Sequence, residues 1–542
     1  MNTLSSLCKF SFPWLCVRNK YASACLLIIF TGAFIQPFAQ TPQQPAQQNP
    51  QRRRAQPAQP GQEKPFVEPV EMHKAALRVL ETQPAQRGRW DTLPELMPIN
   101  PVHVALMYNS KVLVISGSGN DPNNKDFQAG VWDPAIGSVR TFPIKWDMFC
   151  SGMVILSSGR PLVLGGTLKY DAFLGEPRTA FFDPTTETFT DAAQMNGGRW
   201  YPTGTVLGNG SVLVVSGLTN TSSTVNTTVQ IWVSGNWTPA GTIFAGVPLY
   251  PRQHLLPDGQ VFECGANRDS KMFDPATTTW FEVATTNFTA NRDYGTSVLL
   301  PLTPANGFKP RVMILGGANP ATNTTELIDL SVSQPQWVNG PTMARARIQL
   351  NATILPNGKV LVSGGSTNDE DLATAALETE LYDPDTNSFT PGSSMAFPRL
   401  YHSNTLLLPD ATVLAVGGNP MRTVYEPHIE IYSPPYLFNS DGSLATRPVI
   451  SGIDQAIHYG RSFYIRTPYP ADIKSVVLIR PGAVTHAFDM EQRLVGMTFT
   501  SNNSQLYVKA PANGNLAPPG YYMVFIVDSK GVPSKASFVR LT

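Results

Sequence analysis

A β-rich run ending in glycine recurs seven times along this chain of 542 residues. The runs read SKVLVISG, GRPLVLGG, GSVLVVSG, GQVFECG, PRVMILGG, GKVLVSGG and ATVLAVGG, and end at Gly117, Gly166, Gly217, Gly265, Gly317, Gly365 and Gly418. Successive ends lie 49, 51, 48, 52, 48 and 53 residues apart. A fixed period near fifty means one supersecondary unit that buries its faces only by stacking on its neighbours. Turn signals precede three of the runs, as LPDG (256–259), LPNG (355–358) and LPD (408–410). Most runs are followed by another strand with an Asp-Pro turn, as in VWDPAIGSV, FFDPTTETF, MFDPATTTW and LYDPDTNSF. The fifth copy is a variant, LIDLSVSQPQW, and the third, IWVSGNW, lacks the Asp-Pro. Four strands per repeat and seven repeats predict an all-β, seven-bladed kelch-type β-propeller over 66–445, with early residues completing the last blade. Closure leaves no long sheet edge exposed. After YSPPYLF (432–438) the period stops, and the short strands of 446–542 predict a C-terminal immunoglobulin-like (early-set) β-sandwich.

The N-terminus is different. Lys9, Arg18 and Lys20 precede the apolar run ACLLIIFTGAF (24–34), a signal-peptide pattern that places a cleaved leader at 1–39. An uncleaved N-terminal anchor is the alternative. The Pro/Gln-rich stretch at 40–65 has almost nothing to bury and predicts a disordered tether. No later segment has eighteen consecutive apolar residues. With 15% charged residues and a formal net charge of +1, there is no electrostatic case for nucleic acid or an anionic membrane. Cys8, Cys16 and Cys25 fall in the leader, which leaves Cys150 and Cys264. An oxidising compartment allows one disulfide between them.

Fold alone does not give function. Four neighbourhoods hold side chains that strands and turns do not need: DMFCSG (147–152), GGRWYPTGTVL (197–207), PRLYHSNTLLLPD (398–410) and VTHAFDMEQR (484–493). Innermost propeller strands line one axis, so equivalent ends of different blades can converge. Against this, Tyr201 alone reads as half-buried packing. Tyr401 and His402 are adjacent, so on an extended strand they point to opposite faces and reach one metal only if the backbone twists there. His254 is as eligible as His402 by position alone, and His73, His103, His428 and His458 show no pattern. As a set, two imidazoles and two phenols offer N and O donors, which suit Cu(II). Structural zinc would more often use thiolates, and the chain has no Cys-x-x-Cys.

These motifs resemble those of the copper radical oxidases, the galactose oxidase and glyoxal oxidase group, over roughly residues 85–542. DMFC, RWYPT, PRLYHS, LLLPD, GGNP, YSPPYLF and PPGYYMVFIVDSKGVPS stand in that group's order, and RWYPT and PPYLF lie nearer glyoxal oxidases. The resemblance implies that Cys150 forms a thioether to the ring of Tyr201. It implies that Tyr201 is a copper ligand and the radical site, and Tyr401 an axial ligand and general base. It implies that His402 and His486 complete the ligands, His486 arriving on a loop of the sandwich. The implied enzyme holds one copper ion and oxidises small aldehydes or primary alcohols, reducing dioxygen to hydrogen peroxide, as a secreted monomer. The rival is a non-catalytic carbohydrate- or protein-binding propeller at the cell surface, which has no reason to keep all five residues. The chain also departs from the pattern. The position of the tryptophan that stacks on the thioether in galactose oxidase falls at about Thr219, with no Trp nearby, and Asp489 stands where relatives often carry Asn. Cys264 reads as a buried core thiol. Arg199, Arg252 and Arg292 are candidates for contact with a polar substrate, weighed against ordinary solvated arginines.

Overall fold

The computed structural model describes residues 83–542. The expected leader and tether, with Cys8, Cys16, Cys25 and His73, lie outside the described residues. Seven antiparallel sheets follow one another, each built on four strands. Blade 1 comprises His103–Leu106, Val112–Gly117, Gln128–Asp133 and Ser138–Pro143. Blades 2 to 6 begin with the innermost strands Gly152–Ile155, Thr203–Val206, Arg252–Leu255, Thr296–Leu299 and Asn351–Ile354. Blade 7 comprises Asn404–Leu407, Val413–Val416 and His428–Ser433, and its fourth strand is Arg89–Leu96 from the start of the described chain. The innermost strands stand side by side from blade 2 to blade 7, and that of blade 7 lies beside that of blade 1. The N-terminal strand thus closes the ring. Trp90 pairs with Tyr432 across this closure, ring centroids 4.9 Å apart, and the Tyr432 hydroxyl donates to Arg87 O at 2.6 Å.

Burial falls from the axis outward. GMVI and TGTV on innermost strands are wholly buried, whereas the outermost SVRTFP is largely exposed. The Asp of each Asp-Pro turn accepts from the backbone two residues on: Asp133 from Ala135 N, Asp183 from Thr185 N, Asp274 from Ala276 N and Asp383 from Asp385 N. The variant fifth copy keeps this bond, Asp329 accepting from Ser331 N at 2.8 Å. The third copy uses a two-residue loop, Ser234-Gly235, both at positive φ, as a type I′ hairpin requires.

A buried arginine recurs in blades 3, 5, 6 and 7. Arg199, Arg292, Arg347 and Arg399 donate to Ser216 O, Gly316 O, Gly364 O and Gly417 O. Each also reaches a third-strand side chain: Gln230, Glu326, Glu380 and Glu430. Arg252 is buried too and donates to Arg292 O. Arg199, Arg252 and Arg292 are therefore not solvated; they tie strands within and between blades, and Arg252 Nη1 has no partner among the described residues.

The sandwich packs Gly452–Ile453, Ser462–Arg466, Gln505–Lys509 and Phe499–Ser501 against a five-stranded sheet containing Ile473–Ile479 and Gly520–Asp528. From it, residues 480–493 enter the propeller axis. Glu491 accepts from Ile155 N in blade 2, and Arg493 donates to Leu255 O in blade 4. Gln492 accepts from Ile354 N and donates to Ala352 O in blade 6. Backbone groups at inner strand edges, which would otherwise be buried unpaired, thus find partners in the sandwich.

Candidate metal centre

The side chains of interest stand two residues before each innermost strand. In blades 2 to 7 these residues are Cys150, Tyr201, Tyr250, Tyr294, Gln349 and His402. All six have positive φ, at 59°, 68°, 45°, 53°, 64° and 64°. Bulky residues in the left-handed region carry strain that the surroundings must hold, and such residues gather at functional sites. The turns hold one another: Tyr201 N donates to Cys150 O, Tyr250 N to Tyr201 O and Gln349 N to Tyr294 O. The twist at His402 is what brings it beside Tyr401, their ring centroids 3.8 Å apart.

DMFC is shaped by Asp147, whose Oδ1 accepts from Ser118 N at 2.8 Å and Phe149 N at 3.0 Å. The terminal glycines of the repeats make room for it. A Cβ on Gly117 would stand 2.3 Å from Phe149 N, and one on Gly166 2.3 Å from Asp147 O. The glycines that define the repeat are also the floor against which the site turns pack.

His486 sits at a hairpin tip. Ala483–Thr485 pairs with Phe488–Asp489, and His486 and Ala487 form a two-residue loop with φ of 49° and 65°. This hairpin adds to the inner edge of blade 1, with Thr485 opposite His103 and Ala483 opposite Ala105. Asp489 accepts from Ala483 N and Glu491 N, so its carboxylate braces the hairpin.

All five residues meet in one cluster, His486 half-buried and the other four buried. The ligand atoms of Cys150, His402 and His486 lie within 4.8 Å of one another, and Cys150 Sγ is 3.6 Å from His486 Nε2. The phenol oxygens of Tyr201 and Tyr401 meet. The ring of His486 lies 4.6 Å from Tyr201, 5.3 Å from Tyr401 and 4.5 Å from His402. Cys150 and Cys264 are both buried free thiols, so the disulfide alternative is not realised. His254 stands apart, bonded through Nε2 to Ser297 Oγ at 2.8 Å.

The hydrogen bonds assign the tautomers. His402 Nδ1 faces Asn419 Oδ1 at 2.6 Å, an acceptor, so Nδ1 carries the proton. Thr485 Oγ1 donates its one hydrogen to Val102 O at 3.0 Å and so accepts from His486 Nδ1 at 2.6 Å. Both rings turn an unprotonated Nε2 toward the cluster; that of His402 is buried and has no partner among the described residues. Burial holds His402 down at about 3 and His486 well below the ordinary range, so both are neutral, the form that binds metal. Burial likewise raises the Tyr401 phenol and the Cys150 thiol. Two neutral imidazoles with fixed outer hydrogen bonds and two phenols fit a metal that takes N and O donors.

Several members were not legible beforehand. The ring against Tyr201 is its own neighbour Trp200, at 3.8 Å between centroids, with Phe173 stacked behind it at 4.2 Å. The turn containing Thr219 holds no such ring; Thr219 bonds to Ser222. The signal was in RWYPT, in the residue before the tyrosine. Tyr250, Tyr294, Asn419 and Thr485 were also missed.

The glyoxal oxidase N-terminus family profile matches residues 123–436, and the galactose oxidase-like early set domain profile matches 447–541. The chain belongs to the glyoxal oxidase family. It is 29% identical over 497 residues to a galactose oxidase of Gibberella zeae, covering 84% of this chain and 71% of that one. It is 27% identical to the aldehyde oxidase GLOX of Vitis pseudoreticulata, covering 84% of this chain and 97% of the relative. Among solved structures it resembles a fungal alcohol oxidase of the AA5 family in complex with copper, with a TM-score of 0.72, 25% identity, and coverage of 84% and 99%. As a member of the glyoxal oxidase family the chain is a copper oxidase, and its small-molecule chemistry uses dioxygen.

Proposed function

We propose that the protein is a secreted copper radical oxidase that converts aldehydes or primary alcohols and passes their electrons to dioxygen, yielding hydrogen peroxide. The observation that carries this reading is the convergence of Cys150, Tyr201, Tyr401, His402 and His486 in one cluster, buried but for a half-buried His486. Tyr201, Tyr401, His402 and His486 would hold the copper. When bound, copper supplies one of the two oxidising equivalents that the reaction needs and polarises the substrate oxygen.

The chain supplies the rest. Tyr201 is the second redox store, as a ring radical. A thioether from Cys150 Sγ to the ring carbon beside the phenol oxygen spreads the unpaired spin and makes the ring easier to oxidise. Forming that bond removes one hydrogen from the thiol and one from the ring, with dioxygen as acceptor. Tyr401, in contact with Tyr201, takes the hydroxyl proton of the alcohol or hydrated aldehyde, and the Tyr201 radical takes the carbon-bound hydrogen. Burial excludes water and protects the radical. All four donors and Cys150 come from one chain, so nothing in the site needs a partner copy. Secretion is supported by the leader pattern at 1–39; among the described residues no helix is long and apolar enough to cross a membrane.

Peptide mass mapping before and after exposure to Cu(II) and oxygen tests the proposal. The expected product joins the Cys150 and Tyr201 peptides, is lighter by two hydrogens and resists thiol reductants. A free Cys150, or a reducible bridge to Cys264, overturns the thioether radical cofactor.

A further inference from the structure

One buried imidazole has no place in the scheme above. His103 begins the innermost strand of blade 1, directly opposite Thr485 in the hairpin that carries His486. It is fully buried, and neither ring nitrogen has a hydrogen-bond partner among the described residues. Its ring centroid lies 6.1 Å from that of His486, at 51° between planes. It is not one of the three residues whose ligand atoms cluster within 4.8 Å, so it stands just outside the proposed ligands.

A buried imidazole with two unmet nitrogens is destabilising, and an apolar side chain of similar volume would do better in a purely structural position. The neighbouring innermost-strand residues Val104, Ala105 and Leu106 are apolar, as this layer of the propeller favours. Hydrogen bonding within the protein leaves His103 unexplained, whereas His402 and His486 have their Nδ1 atoms engaged by Asn419 and Thr485. The unmet nitrogens of His103 therefore face no competing partner and are free to serve a small polar ligand.

We infer that His103 is a positioning residue of the metal centre, an outer imidazole that hydrogen-bonds to the small oxygen- or nitrogen-containing ligand held beside His486. This rests on the copper reading above. Its role is to orient that ligand, not to bind copper.

The test uses the full copper-loaded protein and azide as the probe. Wild type, His103→Met and His103→Gln are compared by azide titration of the copper absorption, by the Cu(II) electron paramagnetic resonance spectrum, and by thermal unfolding of the copper-free forms. His103→Met is expected to bind one equivalent of copper, to weaken azide binding by about tenfold or more, and to unfold about 1–3 °C higher without copper. His103→Gln, which keeps one hydrogen-bonding group, is expected to recover part of the azide affinity. The azide constant decides, whichever way stability moves: values within twofold of wild type in both variants, with an unchanged spectrum, overturn the inference while leaving the copper reading intact. If wild type itself binds no copper, the copper reading fails and this inference fails with it.

Discussion

Replacing Thr485 by Val tests how the site holds its second histidine. The swap keeps the shape and removes one hydroxyl. That hydroxyl donates to Val102 O at 3.0 Å and accepts from His486 Nδ1 at 2.6 Å. Val102 O retains the Asn404 amide at 3.3 Å, so it is not orphaned. His486 Nδ1 is left as an unmet donor on a half-buried ring. Losing the first bond costs about 1 kcal/mol, and the unmet donor about 1–3 kcal/mol, for a total of roughly 2–4 kcal/mol in the copper-free protein. The ring is also released to place its proton on Nε2, which removes the lone pair aimed at the cluster. Loss of such an outer hydrogen bond lowers metal affinity by about 10–100-fold, equivalent to roughly 1.4–2.7 kcal/mol. Chelator competition for Cu(II) measures the affinity, and thermal unfolding of the copper-free protein measures the stability. Thr485→Ser keeps the hydroxyl and is expected to retain both. Copper affinity within twofold of wild type in Thr485→Val would refute the tautomer argument, because His486 would then need no fixed Nδ1 proton.

Three other outcomes are expected. Glu263 is buried with both carboxylate oxygens unpartnered among the described residues, and burial raises its pKa to about 8. The folded state therefore holds a proton that the unfolded state releases above about 4.5, so this group makes stability fall as pH rises from there to about 8. Glu263→Gln should be more stable than wild type by up to roughly 4 kcal/mol at pH 7.5, with the gap closing toward pH 5 in denaturant titrations. Trp200→Leu removes the ring 3.8 Å from Tyr201; it should lower stability by about 2–4 kcal/mol and shorten the lifetime of the oxidised enzyme's radical absorption, while Trp200→Phe should have a smaller effect on both. Arg399→Met strands the fully buried Glu430 carboxylate, now 2.8 Å from the guanidinium, and should destabilise by about 3–5 kcal/mol in equilibrium unfolding, with little change at exposed pairs such as Lys145–Asp191 treated the same way.

The sequence by itself determined the repeat. The glycines at the ends of the seven runs and the Asp-Pro turns are local requirements of backbone conformation, so they are written where they act. Even the irregular copies keep the rule, through Asp329 in the fifth and Ser234-Gly235 in the third. Cys150, Tyr201, Tyr401, His402 and His486 stand in short motifs that strands do not need, but only the resemblance to copper radical oxidases singled them out as a set.

Tertiary structure decided what those residues do together. Cys150 and His486 are 336 residues apart and come within 3.6 Å only because a closed ring brings equivalent strand ends to one axis and the sandwich threads a hairpin into it. The left-handed turn at Cys150, Tyr201, Tyr250, Tyr294 and Gln349 is joined to that of a neighbouring blade by backbone bonds, which no single repeat encodes. The same holds for the arginines. Arg199 and Arg292 look like surface charges in the sequence, yet the carbonyls and third-strand side chains that bury them are 17 to 34 residues away. Hydrogen-bond partners at that range are chosen by sheet packing, and His103, without a pattern along the chain, becomes notable only beside His486 in the folded axis.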